Sequence, residues 1–106
     1  MTKYNAIRCE LDGHKFDSKA EMKRYADLKL RERVGEISHL ELQPVYQVNV
    51  NGVPICKYKA DFRYFEKNAQ KQIVEDVKGV ITPVYRLKKK LVEAIYHVKI
   101  IEVKAK

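Results

Sequence analysis

The stretch IVEDVKGV, residues 73–80, constrains this chain more than any other. Ile73, Val74, Val77 and Val80 are β-branched and the run is short, so it reads as a strand that Gly79 ends. Side chains alternate between the two faces of a strand, so Asp76 and Lys78 point one way and Glu75 the other. Two acids and a lysine in the middle of an apolar strand need a reason to be there.

The size of the chain limits the possible reasons. With 106 residues and 45% hydrophobic content, residues 1–106 should form a single domain with one sheet and two or three helices. No apolar stretch approaches the ~20 residues that span a bilayer, and MTKYNAIRCELDG lacks the apolar centre of a signal peptide. The expectation is a cytoplasmic protein without a membrane partner. Cys9 and Cys56 lack CxxC spacing and read as reduced thiols, while His14, His39 and His97 are scattered and read as structural.

Charge is divided unevenly along the chain. Residues 1–50 carry nine Lys/Arg against eight Asp/Glu, a balance of +1, and residues 51–106 carry thirteen against six, a balance of +7. A basic second half that includes RLKKK favours a phosphate-rich partner, and nucleic acid leads that class.

Local signals give an alternating order of elements. Residues 6–16 read as a hairpin turning at Asp12-Gly13. Ser18 with Glu21 three residues later is a capping box, opening a helix that runs to about Arg33 before Gly35. Three extended segments follow: HLELQPVYQVNV, ending in an Asn51-Gly52 turn, then ICKYKADFRYF, then QIVEDVK. Thr82-Pro83 opens a second helix to about Ile95, and HVKIIEV closes the chain as a strand. The expected fold is α/β, a mixed sheet with two helices and an N-terminal hairpin.

If KNAQ, residues 67–70, is a four-residue hairpin loop, paired positions sum to 137 and Asp61 faces Asp76. Opposed residues share a face, so Asp61, Asp76 and Lys78 converge. Like charges directly opposite destabilise a sheet, and the arrangement makes sense with a cation between the carboxylates. On a helical wheel Glu21 lies at the edge of the apolar side that Met22, Tyr25, Ala26, Leu28 and Leu30 form, which leaves it open to two roles, metal ligand or cap. On the second helix Val84, Leu87, Leu91, Ala94 and Ile95 form an apolar stripe, with Arg86, Lys89, Lys90 and Glu93 opposite. Lys88 borders the stripe, and with the helix N-terminus it lies close enough to the acids to hold a phosphate. The default reading of Lys89 and Lys90 is a solvated face.

Glu21 on a first helix, Asp61 on one strand, Asp76-Val77-Lys78 on the next, then a helix and a strand, resemble the PD-(D/E)XK nuclease superfamily. DGHKFDSKAE, LELQP, YKADFRY, EDVKG and LKKKL further resemble a group of small phage-borne endonucleases within it, related to Holliday junction resolvases. The resemblance covers nearly the whole chain. Ala60 departs from it, standing where the superfamily's name has Pro. The resemblance implies a restriction-endonuclease-like αβββαβ core and a Mg²⁺-dependent DNA endonuclease, with Mn²⁺ as a substitute. Asp61, Asp76, the Val77 carbonyl and Glu21 would bind the metal, whose preference for oxygen ligands this set meets. Lys78 would orient or deprotonate the attacking water. Gln43, Ser18, Arg86, Lys88 and Lys89 are the expected DNA contacts. The substrate expected is branched or duplex DNA from recombination in phage DNA metabolism. Cutting both strands would call for a homodimer, with exposed apolar residues of the first helix or the hairpin as its interface.

Two other readings compete. A non-catalytic nucleic-acid-binding protein, with Tyr58, Tyr64 and Phe65 stacking bases, explains the basic half but leaves Asp61 and Asp76 repelling the phosphates. A structural protein would use the acids and the lysine as a buried ion network.

Overall fold

The computed structural model describes residues 9–105. It is an α/β fold with a four-stranded mixed sheet, two helices and two separate two-stranded ribbons. β1 (Cys9–Leu11) and β2 (His14–Phe16) pair across Asp12 and Gly13, whose φ values of 53° and 79° are the left-handed ones this hairpin turn needs. Residues 6–8 of the expected hairpin lie outside the described residues. α1 (Lys19–Arg33) begins where Ser18 Oγ accepts the Glu21 N–H at 3.2 Å.

The first two extended segments each break into two strands. β3 (Ile37–Leu42) and β4 (Val45–Val50) separate at Gln43-Pro44, where Gln43 adopts φ 53° and Pro44 has no N–H for a ladder. β5 (Val53–Lys59) and β6 (Phe62–Glu66) separate at Ala60-Asp61. β7 (Lys71–Lys78), α2 (Pro83–Tyr96) and β8 (Ile100–Lys104) complete the chain. Thr82 caps α2 by accepting the Tyr85 N–H at 3.1 Å, and Pro83 sits in its first turn as expected. β8 starts later than HVKIIEV promised, because His97 takes φ 57° as the left-handed cap of α2.

The sheet order is β3-β6-β7-β8, antiparallel except for β7 and β8, which run parallel with α2 as their crossover. The halves left over, β4 and β5, form a ribbon of their own around Asn51-Gly52. The β6–β7 register is the one inferred from the sequence, with Glu66 opposite Lys71 and Phe62 opposite Glu75.

Each face of the sheet has a core. α1 and the hairpin cover one face through Phe16, Tyr25 and Leu28, which meet Phe62, Tyr64 and Ile73. α2 and the ribbon cover the other through Tyr85, Val92, Tyr46 and Tyr58, which meet Val74 and Ile100. Fully burying an aliphatic or Phe side chain contributes about 1.5–3 kcal/mol, so the two layers hold the sheet from both sides. Among the described residues no helix is long and apolar enough to cross a membrane.

Two helix faces differ from the wheel. On α1 Ala26 and Leu30 are exposed, and Tyr25 and Leu28 carry the contact. On α2 the buried residues are Tyr85 and Val92, while Val84 and Leu87 are 64% and 61% exposed. Most of the apolar stripe expected to face the core faces outward, and of it Leu91 packs against the core. α2 can bury its more polar side because Tyr85 donates to Glu102 at 2.9 Å and Lys88 and Lys89 also find partners there, so no polar atom is stranded.

Candidate active site

The site forms where the β6–β7 ladder stops. β7 carries Asp76 toward α2 and the ribbon, and Glu75 toward α1. Asp61 lies just before β6. Its N–H donates to the Glu75 carbonyl at 3.0 Å, and its Oδ2 accepts the Val77 N–H at 2.6 Å. A side-chain carboxylate thus takes a backbone acceptor's place in the ladder. This substitution swings Asp61 to Asp76, as the register predicted, although Asp61 itself stands one residue outside the paired strand.

Burial and charge make this pair unusual. Asp76 is 4% exposed, donated to by the Tyr58 hydroxyl, with its Oδ1 3.4 Å from Lys78 Nζ. Burial pushes the Asp61 carboxyl up to about 7, opposed by the Val77 amide and reinforced by the charges of Glu21 and Asp76. Glu21, half-buried on the first turn of α1, is raised by burial and by Asp17 and Asp76, while the Asp17 backbone and Lys59 act in the other direction. Three acids therefore feel one another, and the raised Asp61 carboxyl favours a bound proton or a bound cation. Among the described residues no three His, Cys, Asp or Glu side chains close around one point. Asp61 and Asp76 supply hard oxygen donors, which fits a divalent ion of the Mg²⁺ class. Glu21 stands within electrostatic reach.

Neighbours fix each member of the site. Lys78 Nζ lies 4.2 Å from the centre of the Tyr85 ring, so the first turn of α2 supports it from behind. Burial raises the Tyr58 hydroxyl, as does its bond to Asp76, which keeps it a donor. On the other face Glu75, 1% exposed, accepts two bonds from Arg24, at 2.8 and 2.6 Å, and one from Tyr64. Bidentate charge-assisted bonds are strong and directional. Arg24 lies one helical turn after Glu21, so this tether sets the rotation of α1 that brings Glu21 to the site.

A family described as Protein of unknown function (DUF1064) matches residues 1–105. The chain belongs to this family. No curated protein matches it, and no solved structure does.

Elsewhere in this DUF1064 chain the expected DNA contacts have other partners. Lys88 donates to the Lys57 carbonyl at 3.1 Å and so ties α2 to the ribbon. Lys89 pairs with Glu102 at 3.2 Å, in a groove that Arg86 also lines. Ser18 is engaged as the cap of α1. Gln43 does reach the site, through its backbone: its N–H donates to the Asp61 carbonyl at 2.9 Å, while its exposed side chain lines a cavity with His14, Lys15 and Lys29. Tyr58 and Tyr64 are buried with their hydroxyls on Asp76 and Glu75, so neither offers a face for base stacking.

Sequence reasoning missed Tyr85 and Arg24, and it read Tyr58 as a base-stacking face and not as the partner of Asp76. Arg24 was readable in principle, three residues after Glu21 on one helix and so on its side. Tyr58 and Tyr85 were not, since both reach the site only after the ribbon and α2 fold over the same sheet face.

Proposed function

We propose that this protein is a Mg²⁺-dependent DNA endonuclease of the PD-(D/E)XK type, acting on branched or recombination DNA in phage DNA metabolism. The observation that carries the reading is the meeting of Asp61 and Asp76 beside Lys78 at the end of a ladder. Two crowded carboxylates, one of them pushed up to about 7, are costly unless a cation is to lie between them. The order of elements agrees with the αβββαβ core that the resemblance implies, with β4–β5 inserted into it. Mn²⁺ would substitute for Mg²⁺.

The residues divide the work. Asp61 and Asp76 would hold the ion, with the Val77 carbonyl and Glu21 as its further oxygen ligands. When bound, the ion supplies a water of lowered pKa and balances the charge that develops on the phosphate. Lys78, anchored as an ammonium between Asp76 and the Tyr85 ring, would donate to the attacking water and orient it. Tyr58 and the Val77 amide keep the two carboxylates oriented. Arg86 and Gln43, both exposed, remain as DNA contacts.

A homodimer belongs to the reading, since one small domain carries one such site. Exposed apolar residues for its interface lie on α1, at Leu30, and on α2, at Val84 and Leu87.

The reading is tested by incubating the protein with labelled four-way junction, flap, linear duplex and single strand, in Mg²⁺, Mn²⁺ or EDTA. Cleavage that needs divalent metal and is fastest on the branched substrates is expected. No product from any substrate in either metal would end the nuclease reading.

A further inference from the structure

We propose that the β4–β5 ribbon enters the major groove of B-form DNA, with Lys57 and Lys59 on phosphates near the one that is cut. This inference rests on the nuclease reading and names the class of substrate that the site takes.

The first observation is charge. From Gln43 through Ala60 the chain reads QPVYQVNVNGVPICKYKA and contains no Asp or Glu, although the whole sequence has 14. A stretch free of acids and carrying two lysines suits a polyanion. The lysines lie on one side of the ribbon. Val45 pairs with Lys59 and Gln47 with Lys57, and of these Val45, Lys57 and Lys59 are exposed. The alternate pair, Tyr46 with Tyr58, is buried against the body of the protein.

The second observation is mounting. Tyr96 of α2 donates to the Gln47 carbonyl at 2.7 Å and Lys88 to the Lys57 carbonyl at 3.1 Å, so each strand is pinned to α2. At its base, Ala60 N–H donates to the Pro44 carbonyl at 3.0 Å and Gln43 N–H to the Asp61 carbonyl at 2.9 Å. The ribbon is thus rooted at the backbone of Asp61, and Lys59 is near enough to act on Glu21. Whatever the outer face grips is held at a fixed place relative to Asp61.

Dimensions select the partner. Two strands about 4.8 Å apart, with their side chains, fit a major groove about 12 Å wide but not a minor groove of about 6 Å. The major groove of A-form RNA is too deep and narrow for side chains to read. Non-specific single-strand binding relies on exposed aromatic platforms, and the ribbon's tyrosines are buried. Duplex DNA is what remains, with Val45 and Ile55 as apolar contacts of the kind that thymine methyl groups accept.

Fluorescence anisotropy in EDTA, across a salt series, tests this with a labelled DNA duplex, the matching RNA duplex and a single strand. Wild type is compared with Lys57→Gln/Lys59→Gln and with Lys67→Gln/Lys71→Gln, which removes the same charge from exposed positions flanking the β6–β7 turn. Wild type is expected to bind the DNA duplex at least about tenfold more tightly than the other two. The ribbon variant should lose affinity and flatten the plot of log K against log salt by about 1.8, two contacts at ~0.9 each, while the hairpin variant keeps the wild-type slope. Unchanged melting temperatures would attribute the difference to the interface. Equal loss in both variants, no loss in the ribbon variant, or equal binding of RNA would overturn the ribbon assignment and leave the nuclease reading standing. A wild-type protein that binds no DNA yet cleaves it would overturn the ribbon alone, and one that neither binds nor cleaves would remove both.

Discussion

Asp76→Asn should give a folded protein that cleaves DNA at least about a thousandfold more slowly than wild type in saturating Mg²⁺. A thousandfold is about 4 kcal/mol of transition-state stabilisation, a reasonable share for an ion that provides both the activated water and the balancing charge. The fold should survive for a local reason. Asn keeps the shape of Asp76 and can still accept the Tyr58 hydroxyl, so the nearly buried position is not left with an unpaired donor. The change also relieves the repulsion on Asp61, so the dead variant should melt no lower than wild type without metal. Lys78 loses its partner at little cost, because it is partly open to solvent. Single-turnover cleavage and a melting curve on the same preparations check both halves. Loss of activity together with loss of fold would make Asp76 a structural residue.

The second large effect is on stability. Without divalent metal, wild type should melt lower at pH 8 than at pH 5, and Mg²⁺ at pH 8 should restore much of the difference. Asp61 has a folded pKa of about 7 against an ordinary value of 3.8, and Glu21 is raised as well. An acid raised by folding binds its proton more tightly when folded. Its contribution is complete below the unfolded pKa and lost as pH rises through the folded one, so the Asp61 contribution disappears by pH 8. Allowing for solvent screening, the loss is on the order of 1–2 kcal/mol, roughly 5–10 °C for a domain of this size. Mg²⁺ at ten times its Kd returns about 1.4 kcal/mol. Asp61→Asn isolates the effect, since other titrating groups remain: its pH dependence should be flatter and its response to Mg²⁺ small. A wild-type curve that matches Asp61→Asn at every pH would show that the pair does not strain the fold.

Backbone signals were the most legible part of the sequence. Ser18, Thr82-Pro83, Asp12-Gly13 and Asn51-Gly52 act through their own dihedrals and nearby amides, which tertiary context rarely overrides, and all four stand where they were read. The β6–β7 register followed from one loop length. It brought Asp61 to Asp76 although Asp61 leaves the ladder, because the Val77 amide binds its side chain. Long-range packing was less legible. Helical periodicity assumes that the most apolar face is the buried one, and α2 contradicts this by burying Tyr85 beside Asp76 and Glu102 while Val84 and Leu87 meet solvent. The strand breaks were missed because 39–50 and 55–65 have strand composition throughout. Pro44 and Ala60 mark the breaks, and only the separation of the ribbon from the sheet gives those positions meaning. The acceptor of Lys88 was unreadable for the same reason, since it belongs to that ribbon.

A divalent-cation site formed by Asp61 and Asp76 is open to direct test by Mn²⁺ binding at pH 8, followed by the electron paramagnetic resonance signal of free Mn²⁺. Wild type should bind at least one ion that Asp61→Asn and Asp76→Asn both lose, with Mg²⁺ competing for it. Identical titrations of wild type and the two variants would contradict the account, and the carboxylate pair would then be a protonated, structural contact between two strands.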